Sequence, residues 1–196
     1  MLQSLIDLDT RLFWFINLKT TTFGLDKVMQ TLSATWFWWA VAGAVACFAL
    51  FKKNKFLLKT MLLMALAMGV TDLFSFEVLK PTFGRERPCR ELSGVRLVES
   101  RCGGDFGFPS NHAGNGFAAA TVLWLRHNPR KKGVNFIWMS PFLIAGLVAF
   151  SRVYLGVHFP LDVTAGALLG FGIAFGWVSL MRTWPRTRTF FWPTTE

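Results

Sequence analysis

An all-α integral membrane protein is the fold class this sequence predicts, with about five transmembrane helices and an N-terminal interfacial helix. Three observations carry the prediction. Of the 196 residues, 53% are hydrophobic, in more long apolar runs than a soluble domain of this size carries. The 21 Phe and nine Trp suit aromatic belts at membrane interfaces. The charge excess, 21 Lys+Arg against 11 Asp+Glu, lies between the apolar runs, where it serves topology and anionic lipid. No aromatic–basic motif of a nucleic-acid reader is present, so nucleic acid is excluded as a partner. There is no internal repeat or low-complexity tract, and residues 1–196 read as one membrane domain. The first residues lack a basic region and a small-residue cleavage site and carry Asp7 and Asp9, so no removable signal peptide is expected.

The elements follow in order. Residues 1–19 place Leu2, Leu5, Ile6, Leu8, Leu12, Phe13 and Phe15 near one helical face, interrupted by Asp7, Asp9 and Arg11. That pattern predicts a helix lying in the interface rather than crossing it. A break at 20–24 precedes the first span, 28–51, which holds Trp36, Trp38 and Trp39. Lys52, Lys53, Lys55 and Lys59 follow, then the second span, 56–79; both runs suffice for roughly 30 Å of hydrocarbon. A charged, Gly-rich loop covers 80–108. The third span, 110–125, is the shortest, and Arg126, Arg130, Lys131 and Lys132 come after it. The fourth is 134–150 or a little longer. The fifth, 159–181, is rich in Gly and Ala, which allows close helix packing. The tail, 183–196, follows Arg182, carries Arg186 and Arg188, and reads as irregular around its prolines.

The basic turns after the first and third spans and the basic tail carry no Asp or Glu before Glu196, which predicts that all three are cytoplasmic. Five spans then put the N-terminus outside and the C-terminus in the cytoplasm. The 80–108 loop and the connection between the fourth and fifth spans fall together on the outer side.

Three stretches on that outer side carry chemistry. Residues 151–162 read SRVYLGVHFPLD. His158 and Asp162 are four apart and share a face if helical. A carboxylate holding one imidazole nitrogen leaves the other with a free lone pair, as a nucleophile or base requires. Arg152 adds a fork of donors suited to phosphate oxygens. The plain alternative is a satisfied His–Asp pair at a helix end. Residues 80–88, KPTFGRERP, crowd Lys80, Arg85 and Arg87, which repel unless an anion lies among them or headgroups screen them. Residues 108–116, FPSNHAGNG, read as a helix start with Ser110 as cap or first-turn residue and His112 in the first turn. A helix N-terminus offers unpaired N–H groups and the positive end of a dipole to an anion. Together these stretches supply cations, a helix end, two His and an Asp. That set is suited to in-line attack by His158 on phosphorus, with His112 as acid and then base.

K-x6-RP at Lys80, Arg87 and Pro88, PS-x-H at Pro109, Ser110 and His112, and SR-x5-H-x3-D at Ser151, Arg152, His158 and Asp162 resemble, in this order, the type 2 phosphatidic-acid phosphatase superfamily. The motifs cover about residues 80–162, and the five spans extend the likeness over most of the chain. The resemblance implies a helical core, no metal or other cofactor, His158 as nucleophile positioned by Asp162, and His112 as acid. It also implies phosphate binding by Lys80, Arg87, Ser110, His112 and Arg152. The second motif usually has Gly where this chain has Asn111; the backbone N–H there is retained for phosphate. The Asn111 side chain is free to bond a neighbour or to tighten the headgroup pocket.

Asp72 and Glu77 fall late in the second span, where ionisable residues face the protein or the interface. Glu77 is expected to pair with Lys80 or Arg87, and Asp72 to orient a motif residue. Cys89 and Cys102 bracket part of the outer loop and are expected to form a disulfide in an oxidising compartment, the alternative being two free thiols. Cys47 reads as apolar packing in the first span. A Cys-based phosphatase needs Arg six residues after its Cys; here those positions are Val95 and Phe108. A metallophosphatase would have to work with three His, one of them, His127, in the cytoplasmic turn, which leaves too few ligands for a two-metal site.

The sequence therefore predicts a metal-independent lipid phosphatase of the bacterial cytoplasmic (inner) membrane, with its active site facing the periplasm. Its expected substrate is a lipid phosphomonoester or diphosphate, undecaprenyl diphosphate first. Phosphatidylglycerophosphate, phosphatidate and lipid A phosphate are alternatives. So are transfer to a lipid hydroxyl instead of water and, in another class, a lipid-binding or transport protein. The oligomeric state is left open.

Overall fold

The computed structural model describes residues 2–99, 101–126 and 139–192. Among them the architecture is helical, with a single isolated antiparallel bridge between Glu86 and Phe106. Helix α1 spans Leu2–Trp14 and runs on through a wider turn, Phe15–Lys19. Its outer face, with Leu5, Leu8, Leu12 and Phe15, is exposed. Its inner face is one polar–apolar–polar row: Asp9, Phe13 and Asn17, four apart and all buried. Asn17 Nδ2 donates to the carbonyls of Arg96 and Tyr154, both at 2.9 Å, and Asn17 Oδ1 accepts from Arg96 N.

The expected first span is broken. Helix α2, Phe23–Ser33, and helix α3, Thr35–Phe51, meet at extended Ala34 with a bend of 58°. Polar contacts gather at the break. The Ser33 hydroxyl is drawn to Glu99 and Arg152, and the Trp38 indole N–H satisfies the Leu32 carbonyl beside the break at 2.8 Å. Helix α4, Lys55–Phe74, is capped by Asn54, whose Oδ1 accepts from Leu57 N. It continues through a wider turn into α5, Lys80–Phe83, as one 29-residue apolar rod. A short α6, Pro88–Glu91, lies in the loop that follows.

Helix α7, Asn111–Arg126, sits at the centre, packed on α4, α8 (Ser140–Tyr154) and α9 (Pro160–Thr183). Leu63 and Ala67 of α4, Ala118 and Val122 of α7, and Ala174 and Val178 of α9 form its shared core. Small residues make this approach close enough. A Cβ on Gly170 would run into the Gly114 carbonyl, so α7 and α9 touch backbone to backbone there.

By length and composition two described helices can cross a bilayer, 55–83 and α9, and a third if the bent α2–α3 pair counts as one. Helices α7 and α8 have 16 and 15 residues. The first part of the expected fourth span, 134–138, and the basic positions Arg130, Lys131, Lys132 and His127 lie outside the described residues. The tail departs from expectation. Pro185 opens a helix, α10 (Pro185–Phe191), as proline does at a first helical position. Arg126, read as a turn cation, is buried with its guanidinium over the Phe56 and Trp192 rings and donates to the Phe191 carbonyl. Lys59 reaches the Phe190 carbonyl at 2.5 Å. The basic segments at 52–59, 126 and 182–188 therefore meet at one end of the bundle.

Candidate active site

The opposite end of the bundle brings the three motifs together. His158 follows a tight turn after α8, in which Val157 N bonds the Arg152 carbonyl and Gly156 takes φ +85°. Glycine is needed at 156 for that backbone and for space, since a Cβ would press on the Arg96 carbonyl and Val95. Phe159 then opens α9, and Asp162 in its first turn accepts from Phe159 N at 2.9 Å through Oδ2.

The same Asp162 oxygen lies 3.3 Å from His158 Nδ1, and Arg87 Nη1 lies 2.9 Å from His158 Nε2. A guanidinium can only donate, so Nε2 is the acceptor and the proton resides on Nδ1, facing Asp162. Burial holds His158 well below the ordinary imidazole range, reinforced by Arg87, Arg152 and Lys80. His158 is therefore a neutral imidazole whose Nε2 lone pair is aimed at a cation rather than at a backbone donor.

The cations are held by carbonyls. Lys80 Nζ donates to Phe106 and Pro109 at 3.1 and 3.0 Å. Arg87 donates to Gly104 and Val157 at 2.7 and 3.1 Å. Glu77 pairs with neither, contrary to expectation: it is exposed, and the Lys80 ammonium is turned inward. Arg85 bonds Asp162 Oδ1 at 2.9 Å and Asp9 Oδ2 at 2.6 Å, so carboxylates separate it from the other two cations. Arg152 binds Ser33 Oγ and, at 2.9 Å, Glu99. Ser110 does not use its hydroxyl as a helix cap. Its N–H bonds the Asp162 carbonyl, its carbonyl takes Gly114 N, and buried Oγ has no partner among the described residues. Arg152 Nε is likewise buried and unpartnered. Those two donors are what an anion would satisfy.

His112 and Arg152 line a cleft of about 460 Å³ with Gln30, Ser33, Thr35 and Glu99. The Asn111 side chain points away from it. Nδ2 donates to Asp72 Oδ1 at 2.5 Å, Oδ1 accepts from Ser75 at 3.0 Å, and Asn115 takes the other Asp72 oxygen at 3.0 Å. Asp72 thus ties α4 to the first turn of α7. Cys89 and Cys102 are joined, with Cα atoms 6.0 Å apart. Among the described residues no group of three or more His, Cys, Asp or Glu is placed to hold a metal.

Sequence reasoning missed Asp9, Ser33 and Glu99 at this end. Asp9 carried a usable signal, the spacing of two polar residues, Asp9 and Asn17, around Phe13 on an otherwise apolar helix. Ser33 and Glu99 carried none, since an isolated Ser and Glu have no local pattern.

The family model described as the PAP2 superfamily matches residues 56–186 of the chain. A lipid A 4'-phosphatase from Bacteroides thetaiotaomicron is 32% identical over 187 residues, 91% of this chain and 78% of that one. An undecaprenyl-diphosphatase from Sulfolobus acidocaldarius is 31% identical over 182 residues, 92% of this chain and 82% of that one. The crystal structure of a PAP2-type phosphatidylglycerolphosphate phosphatase from Bacillus subtilis superposes with a TM-score of 0.71 at 27% identity, over 93% of this chain and 89% of that one.

Proposed function

The chain belongs to the PAP2 superfamily of membrane lipid phosphatases, and from that premise we propose that it hydrolyses a lipid diphosphate or phosphomonoester through a phosphorylated His158. The observation that carries this reading is the geometry at His158, with Nδ1 facing Asp162 Oδ2 and Nε2 facing the Arg87 guanidinium. When a phosphate enters, Arg87 exchanges Nε2 for a phosphate oxygen. Lys80, Ser110, Arg152 and the first N–H groups of α7, that of Asn111 among them, surround the other equatorial oxygens.

Nε2 attacks phosphorus in line, and the P–O bond to the lipid breaks. His112 gives the leaving oxygen its proton, while Asp162 stabilises the positive charge on the His158 ring. Water then attacks the phosphoryl group, His112 takes its proton, the P–Nε2 bond breaks and inorganic phosphate leaves. No step passes through a metal.

Undecaprenyl diphosphate is the first substrate in this reading; its leaving group is the lipid monophosphate. Lipid A phosphate is the second, favoured by the Bacteroides relative. The site faces the periplasm of the inner membrane. Two things support that side: the basic segments gather at the far end of the bundle, and a disulfide lies beside the site.

The test is phosphate release from a panel of purified lipids in detergent with excess EDTA, with His158→Ala alongside. Release from one lipid at full rate in EDTA, absent in the variant, is expected. Substantial turnover by His158→Ala removes His158 as nucleophile, and loss in EDTA restored by a divalent ion replaces the mechanism.

A further inference from the structure

Asp9 lies outside the three motifs and Arg85 at an unspecified position within the first, yet Arg85 bonds Asp162 directly and Asp9 holds Arg85. Arg85 bridges two carboxylates, Asp162 Oδ1 at 2.9 Å and Asp9 Oδ2 at 2.6 Å, with its guanidinium 4.2 Å over the Phe159 ring. Asp9 sends its other oxygen to Leu161 N, 2.8 Å away, in the first turn of α9. Both carboxylates are buried, with side chains 1% and 0% exposed. Asp162 thus has each oxygen assigned. Oδ2 serves His158 Nδ1 and Phe159 N, and Oδ1 serves Arg85. Rotation of the carboxylate would break one set to make the other.

We infer that Asp9 and Arg85 are positioning residues for the His158–Asp162 pair: they lock the Asp162 carboxylate toward Nδ1 and set how strongly its charge is felt by the imidazole. The inference rests on the proposed role of His158. Bringing α1 to this point also makes the N-terminal helix part of the active centre rather than only a membrane anchor.

The charge argument has a sign. Arg85 offsets Asp162, and Asp9 offsets Arg85. The groups facing His158 and Asp162 from the other elements are Lys80, Arg87, His112 and Arg152, and these stay fixed in the comparison. Replacing Arg85 by Gln leaves two buried carboxylates near His158, favours its protonated form, and moves the acid limb of kcat/KM to higher pH. Replacing Asp9 by Asn keeps an acceptor for Leu161 N but leaves Arg85 a net cation, so the acid limb moves to lower pH.

The experiment measures kcat, KM and the acid limb for wild type, Arg85→Gln, Asp9→Asn and His158→Ala on whichever lipid the wild type hydrolyses, with thermal stability in detergent recorded for each. Arg85→Gln is expected to lose roughly 10- to 100-fold in kcat, the equivalent of a hydrogen bond to a charged group, with KM within about threefold. The two limbs move in opposite directions. Unchanged limbs, or limbs moving the same way as a general loosening would produce, overturn the inference. Should Arg85→Gln fail to fold, the downward shift in near-isosteric Asp9→Asn decides alone. If His158→Ala retains turnover, it is the nucleophile assignment that fails; if His158→Ala is inactive and the Arg85 and Asp9 variants behave as wild type, this inference fails by itself.

Discussion

Opening the Cys89–Cys102 disulfide should loosen one wall of the site without unfolding the bundle. The bridge closes a loop of sequence separation 13. The chain-entropy relation gives about 3 kcal/mol for a loop of that length, and at about 1.4 kcal/mol per tenfold this corresponds to a roughly 100-fold change in the local opening equilibrium. What the bridge holds is specific. Arg87 donates to the Gly104 carbonyl at 2.7 Å, Arg90 to the Gly103 carbonyl at 2.9 Å, and Arg90 pairs with Asp105. The Arg90–Asp105 pair is exposed and adds little by itself. When the bridge opens, Arg87 loses the support of a carbonyl two residues from Cys102, so the guanidinium that in the proposed mechanism moves from His158 Nε2 to phosphate starts from a broader set of positions. The assay is amide hydrogen exchange on peptides covering Arg90 and residues 103–106, in wild type with and without reductant and in Cys89→Ser/Cys102→Ser. Exchange in those peptides is expected to speed by one to two orders of magnitude, while α7 and α9 are unchanged and KM rises severalfold. Unchanged exchange in 103–106 after complete reduction would refute the reasoning.

Other expectations follow from the same geometry. The native pKa of His158 lies below its unfolded value. Between that depressed pKa and about 6.5 the unfolded chain binds the extra proton, so stability rises with pH in that window and is lost as pH falls through it. Thermal denaturation in detergent from pH 7.5 downward should therefore destabilise the wild type more than His158→Asn; equal slopes would contradict a buried neutral imidazole. Gly170→Leu should block the backbone contact with Gly114 and leave no monodisperse protein, whereas Gly172→Ala, with open space around its would-be Cβ, should purify normally. Asp72→Ala should lower thermal stability by leaving the Asn111 and Asn115 amides without their shared acceptor, while Asp72→Asn should recover part of it.

What could be read from sequence was whatever is coded locally. His158 and Asp162 are four residues apart, and their contact follows from the start of one helix. Lys80 and Arg87 flank one short loop, and Pro109 to His112 open one helix. Long apolar runs such as 56–79 announce themselves. The break at Ala34 did not, because its polar contacts reach Glu99 and Arg152, far along the chain. Arg85 read as one of three repelling cations because its partners lie 76 and 77 residues away. The tail prolines read as irregularity, although one of them starts a helix whose end is held by Arg126 and Lys59. Most of these misses involve long-range polar contacts that no local spacing encodes; the polar spacing at Asp9 and the Pro185 helix start were local signals passed over.

The claim on which the account turns is that His158 Nε2 carries the phosphoryl group. Turnover of a lipid substrate labelled in its scissile phosphate, quenched in alkali within the first cycles and mapped by mass spectrometry, reads it directly. Phosphate on His158 that is stable in base, labile in acid and absent from His158→Ala is the predicted result. Label on another residue, or wild-type phosphate release by His158→Ala, would contradict it.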